Sequence, residues 1–185
     1  MIARGDSLAP ERIETERLIL RRPRREDAEP IFARYAADAD VTRFLSWPRH
    51  ESAEATRAFL EFSDAEWQRW PAGPYLVESR QDGALLGGTG FGFETTHRAA
   101  TGYVFAKDAW RKGYATESLR AVVDVARTIG VVRLYAICHT EHAVSARVLE
   151  KCGFAREGVF RRHTEFPNLR PGEPADVFCY ALILR

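Results

Sequence analysis

The chain has 185 residues, 45% of them hydrophobic and 29% charged, which is enough for one well-filled core and unlike a disordered or fibrous chain. Its 27 Lys and Arg stand against 26 Asp and Glu, a formal net charge of +1, so no global field draws it to a polyanion. Residues 1–10, "MIARGDSLAP", lack periodicity and end in proline, which predicts a flexible leader ahead of a single domain over 11–185. "RLILRR" at 17–22 reads as a strand closed by Pro23. Ala28, Ile31, Phe32 and Tyr35 then fall at helical spacing, and a second helix is expected from the cap residue Ser52 until Pro71 and Gly73 stop it.

From there the chain reads as strands: "YLVES" at 75–79, a turn at "QDG", "ALLGGTGFGF" at 84–93 and "TGYVFA" at 101–106. Short turns make these antiparallel, and the four glycines at 87–92 point to a bulge or a close backbone approach. Leu119, Val122, Val123, Ala126 and Ile129 then form one apolar helix stripe, with Gly130 where a left-handed cap belongs. "VVRLYAIC" at 131–138 is β-rich, and a helix across 143–152 ends at Gly153, which would let Phe154 fold back on Leu149. The strand–helix–strand order sets 101–106 and 132–138 parallel with a right-handed crossover. Two last strands, near 155–165 and 175–184, flank the turn-rich "PNLRPGEP". The expectation is α/β (α+β): a mixed, mostly antiparallel sheet of about six to seven strands with about four helices.

Chemistry concentrates at "WRKGYATESL", 110–119. A helix start leaves amide N–H groups unpaired at the positive end of the helix dipole. A diphosphate fits the N–H groups around Gly113, Tyr114, Ala115 and Thr116, with Arg111 and Lys112 adding charge. The spacing is neither GxxxxGK[ST] nor GxGxxG, which disfavours an ATP-type loop. The basic run "RRPRRED" at 21–27 is broken by proline and followed by two acids, a solvated strand end and turn more than a nucleic-acid surface. The cysteines Cys138, Cys152 and Cys179 form no CxxC pair, against a disulfide framework or structural zinc. No apolar segment is long enough to span a bilayer and no signal-type start is visible, so a cytoplasmic chain without membrane or nucleic-acid partner is expected.

Taken in order, 110–119 and "HAVSARVLEKCGF" at 142–154 resemble the GNAT superfamily of acyl-CoA-dependent N-acyltransferases, in its RimJ/RimL-like (ribosomal-protein alanine N-acetyltransferase) branch. Gly102-Tyr103, Trp110, "KGYATE" at 112–117, Ser145, "RVLEK" at 147–151, Gly153-Phe154 and the late "DVFCYAL" at 176–182 carry the likeness, over about residues 12–184. The resemblance implies acetyl-CoA as cosubstrate and no metal. Arg111, Lys112, Gly113, Tyr114, Ala115 and Thr116 would hold the pyrophosphate. Backbone near Tyr103, Val104 and Phe105 would pair with the pantetheine arm, and the thioester would enter a splay between 101–106 and 132–138. Leu149 stands where many members carry a tyrosine acid; the RimJ/RimL-like branch tends to carry a serine four residues earlier, matched by Ser145, and the resemblance implies that Ser145 gives the hydrogen bond or proton to the CoA sulfur. His142 replaces an asparagine of the branch and is a cofactor contact or a surface residue.

The general base does not carry over. Glu94 is the tentative choice, with His97, His163 and Glu165 as other polar groups near strand ends. On the acceptor side Phe44 and Trp47 are tentative substrate contacts. Trp67 and Trp70 are aromatics of the same region, usually core, and Asp38 and Asp40 either attract an amine or sit in an exposed turn. The implied activity is direct acetyl transfer to a primary amine, either a protein N-terminus or a small molecule. The alternative is a non-catalytic acyl-CoA sensor of the same fold. Edge strands near the C-terminus make a homodimer an open possibility.

Overall fold

Tyr75, Leu76 and Val77 are consecutive and all buried, so their strand is covered on both faces, as at the centre of a sheet between two helical layers. The computed structural model describes residues 8–184. They form one eight-stranded sheet, β1 (Arg12–Glu14), β2 (Leu18–Arg21), β3 (Pro74–Ser79), β4 (Leu85–Thr95), β5 (Arg98–Phe105), β6 (Arg133–His139), β7 (Ala155–Glu165) and β8 (Pro174–Ile183), in the order β1-β2-β3-β4-β5-β6-β8-β7. All neighbours are antiparallel except β5 and β6. The extra strand relative to expectation is β1, whose three residues are too few to show an alternation. It owes its conformation to pairing with β2, Ile13 opposite Leu20.

One face carries α4 (Tyr114–Thr128) and α5 (Ala143–Lys151). Leu119, Val122, Val123 and Ala126 of α4 are at most 4% exposed and pack on Leu20, Val77 and Phe105. Burying each of the larger ones stabilises the fold by about 1.5–3 kcal/mol. Gly130 (φ 79°) and Gly153 (φ 86°) adopt the left-handed conformation, and Phe154 N–H donates to Leu149 O at 3.1 Å, closing α5 as expected.

The other face is covered by α1 (Ala28–Ile31), α2 (Ala39–Thr42) and α3 (Ala53–Arg69). The helix expected through Tyr35 is composite: a 3-10 turn at Arg25–Asp27, then α1, then a π turn at Phe32–Ala36. α2 was not anticipated, and Asp38 caps it by accepting the N–H groups of Asp40 and Val41.

Of the leader, residues 1–7 lie outside the described residues. Ala9 is buried and its N–H donates to Pro71 O (2.8 Å). Two of the four β4 glycines serve close approach: a Cβ on Gly87 would sit 2.1 Å from Val104 O and one on Gly90 2.6 Å from Gly73 O, whereas Gly92 faces open space. A bulge falls beside Gly87, where the β3 register shifts between Val77 and Glu78.

The arginine run is neutralised by partners. Arg21 bridges Asp27 and Glu78 (2.7 Å each), and Arg22 bridges Glu11 and Asp64. Cys138, Cys152 and Cys179 are free thiols, and burial pushes Cys138 up to about 11. No helix among the described residues is long and apolar enough to cross a membrane.

Candidate active site

β5 and β6 pair only from Arg98 opposite Arg133 to Ala100 opposite Tyr135. Beyond that point they diverge, so the β6-facing edge of Gly102–Phe105 has no strand partner, and a wedge opens between the two strands as expected. Trp110 Nε1 donates to Phe105 O at 2.8 Å, which occupies that carbonyl and fastens the following turn to β5. The strand edge left open is centred on Gly102–Val104.

At the wide end of the wedge lies the 110–116 turn. Arg111 (φ 60°) and Gly113 (φ 82°) are both left-handed, which curls the chain so that Gly113 caps α4. The helical ladder starts with Glu117 N–H donating to Gly113 O (3.0 Å). The N–H groups of Tyr114, Ala115 and Thr116 therefore precede the first intrahelical bond.

The β1–β2 connection braces this turn. Arg17 donates from Nη1 to Lys112 O (2.9 Å), from Nε to Glu117 (2.7 Å) and from its backbone N–H to the same carboxylate (2.8 Å). Thr15 Oγ1 donates to Glu117 at 2.6 Å, and the Arg17 guanidinium lies over the Tyr114 ring. Burial works against the Glu117 charge, but the Thr15 and Arg17 donors outweigh it and hold its carboxyl below the usual range.

Ser145, in the first turn of α5, reaches into the narrow part of the wedge. Its Oγ is 2.9 Å from Tyr103 Oη, and Tyr103 also lies 3.0 Å from Ser145 O. Burial raises the Tyr103 pKa well above the usual phenol range, partly offset by Ser145, so the phenol stays protonated. Either hydroxyl can give the other a proton, and together they form a donor pair beside Cys138. Sequence reasoning gave Tyr103 only a backbone role. The side chain was missed because its partner is 42 positions away.

Ser145 and Tyr103 open onto a cavity of about 590 Å3 that continues toward the α1–α3 side. Phe44 and Trp47 both line it, together with Phe59, Phe62 and Phe166. His142 is brought to this wall. Its ring stacks on Phe44 with centroids 4.6 Å apart, and burial, with nearby His139, lowers its pKa, so it is a neutral imidazole near pH 7.

Tyr135 also lines the cavity, and its hydroxyl bonds Glu94, whose carboxylate is further held by Arg98 Nε at 2.6 Å. Glu94 is half-exposed, does not line the cavity and touches it only through Tyr135. Among the other expected groups, Asp38 is spent on capping α2 and Asp40 pairs with Lys107. Trp67 donates to Pro74 O, and Trp70 stacks on Phe93, in the core. His163 bonds its neighbour Thr164, His97 bonds Thr95, and Glu165 accepts from Gly172 N–H.

The β7–β8 connection supplies residues that no local spacing announced. Asn168 donates to Thr42 O (2.9 Å) and Trp47 O (2.8 Å) and accepts from Arg49 N–H (2.7 Å), fixing the Trp47 wall. Phe166 meets His139 edge-on at 5.0 Å.

A family model described as "Acetyltransferase (GNAT) domain" matches residues 17–155. An uncharacterized N-acetyltransferase of Bacillus subtilis, YoaA, is 33% identical over 174 residues, covering 92% of this chain and 96% of that one. Among solved structures, a GNAT-family acetyltransferase from Bacillus anthracis superposes with a TM-score of 0.80 at 28% identity, covering 93% of this chain and 98% of that one. RimL, an alpha-N-protein acetyltransferase for a ribosomal protein in complex with coenzyme A, shares the fold at a TM-score of 0.82 and 21% identity, with 96% and 98% covered. The match spans the wedge, the phosphate-type turn and the Ser145 helix, and with it the chain belongs to the GNAT acetyltransferases and is an N-acetyltransferase of that family.

Proposed function

We propose that this chain transfers the acetyl group of acetyl-CoA directly to a primary amine, on a protein N-terminus or a small molecule, without a covalent enzyme intermediate. The observation that carries this reading is the single line of features along the β5–β6 wedge. Helix-start N–H groups without intrahelical partners stand at one end, an unpaired strand edge runs along its length, and the Ser145–Tyr103 donor pair meets the cavity at the other. The solved complexes of RimL with coenzyme A and of MccE, the microcin C7 self-immunity acetyltransferase, with acetyl-CoA and AMP supply the cosubstrate by analogy.

In this reading the pyrophosphate meets Gly113, Tyr114, Ala115 and Thr116 N–H groups, with Arg111 and Lys112 adding charge. The pantetheine amides pair with Tyr103 and Val104 backbone as an added strand. The amine nitrogen attacks the thioester carbonyl, and free N–H groups of the splayed β5 edge stabilise the oxyanion. The C–S bond then breaks. Ser145, accepting from Tyr103, donates to the departing sulfur, while the proton lost by nitrogen passes to a base.

The neutral, cavity-lining imidazole of His142 suits that base. A second reading is favoured by the Tyr135–Glu94 contact, with Glu94 acting through the phenol.

The test is mass spectrometry of acetyl transfer from acetyl-CoA to a mixed panel of N-terminal peptides and small amines. Acetylated product supports the reading. Tight acetyl-CoA binding with no product from any amine favours the non-catalytic sensor.

A further inference from the structure

The lining of the 590 Å3 cavity holds tyrosines, histidines, phenylalanines and a cysteine, but no Asp, Glu, Lys or Arg among the described residues. The acids nearby are engaged elsewhere: Glu94 with Arg98, Asp27 with Arg21, Asp40 with Lys107. An ammonium entering such a space would lose its water and find no opposite charge, which strongly favours the neutral amine. At pH 7.5 roughly one α-amine in three is neutral, against about one lysine-type amine in a thousand. The wall facing the reacting end is aromatic, with Phe44, Trp47, Phe59 and Phe166 around it, and aromatic surfaces reward burial of an apolar body.

From these two features we infer that the acceptor is an α-amine beside a large apolar or aromatic side chain, with no second positive charge. This rests on the acetyltransferase reading and adds to it the class of acceptor. It separates this cavity from sites that recognise polyamines or aminoglycosides, whose several cations need carboxylates to replace lost hydration. Asn168 contributes by fixing the backbone of the Trp47 wall, so the β7–β8 connection shapes selectivity without touching the reacting atoms.

The test uses the full chain with acetyl-CoA at pH 7.5. Rates are compared for tetrapeptide amides beginning with Phe, Leu, Ala, Ser, Asp or Lys, for free phenylalaninamide, and for spermidine and kanamycin. The expected order puts Phe and Leu at least about tenfold above Ser, Asp and Lys in kcat/KM, and at least about a hundredfold above spermidine and kanamycin. Phenylalaninamide against the Phe peptide distinguishes a small-molecule acceptor from a polypeptide one.

A carboxylate placed on the cavity lining by Ser46→Asp is expected to narrow the gap for spermidine at least threefold. Preferred acetylation of spermidine, kanamycin or the Lys peptide would overturn the inference while leaving the acetyltransferase reading intact. Transfer to no amine in the panel would overturn both.

Discussion

Replacing Ser145 by alanine removes one hydroxyl from the narrow end of the wedge and little else. Tyr103 keeps a partner after the change, because its hydroxyl already lies 3.0 Å from Ser145 O, so no buried donor is orphaned and the melting temperature is expected to move by no more than about 2 °C. In the proposed mechanism, what is lost is a hydrogen bond to sulfur as it becomes a thiolate. Hydrogen bonds to charged groups are worth about 1.5–3 kcal/mol, which at about 1.4 kcal/mol per decade is roughly a 10- to 150-fold fall in kcat.

The KM for acetyl-CoA should stay within about threefold, since the 110–116 turn and the strand edge are untouched. Steady-state kinetics with varied acetyl-CoA, read beside thermal unfolding of the same variant, separates the two effects. Tyr103→Phe should lower kcat in the same direction. If the pair acts as one donor, the double variant should fall no further than Ser145→Ala alone. A Ser145→Ala enzyme within twofold of the parent in kcat would refute the assignment.

Arg17→Ala removes the donors that hold Lys112 O and Glu117, and should raise the KM for acetyl-CoA about three- to tenfold with kcat nearly unchanged, measured by initial rates. Glu117 has a depressed pKa in the fold, so its stabilising contribution is present above the unfolded glutamate value of about 4.3. It is lost as pH falls through the lower folded value, so thermal unfolding from pH 6 to 3 should show a smaller acid loss in Glu117→Gln than in the parent. Arg21→Ala leaves Asp27 and Glu78 facing each other without their cation, and should cost on the order of 3 kcal/mol, read as a fall in melting temperature of about 6–12 °C. His142 has a lowered pKa, so it is base-competent above that value, and kcat at saturating acceptor, where protonation of the free amine no longer limits the rate, should fall only as pH drops below the usual histidine range. His142→Asn should remove that limb, whereas an unchanged profile would favour the Glu94 route.

The parts legible in the sequence were those fixed by local chemistry. α4 and α5 announce themselves through an apolar stripe and a glycine whose positive φ ends each helix, and the turn at 110–116 through a glycine and two cations before a helix. β1 and the π turn after α1 were not legible. The first exists only by pairing with β2, and the second hangs on an i to i+5 bond, Ala37 N–H to Phe32 O at 3.2 Å, that packing rather than propensity selects.

The site divides in the same way. Ser145 and the 110–116 turn lie in contiguous motifs. The Tyr103 hydroxyl, Tyr135, Phe166 and Asn168 join from distant strands and loops, and only the folded sheet brings them together. Glu94 was chosen for lying near a strand end, and sequence gave no hint that Arg98 and Tyr135 would engage its carboxylate.

The central claim is that the turn at 110–116 and the β5–β6 wedge form one binding site for acetyl-CoA. Isothermal titration of acetyl-CoA into the parent protein and into Gly113→Val tests it most directly, because a β-branched residue cannot hold φ 82° without strain and reshapes the N–H cradle. The account predicts saturable one-to-one binding to the parent and at least tenfold weaker binding to a folded Gly113→Val protein. Equal affinity for the two, or no binding to the parent, would contradict it.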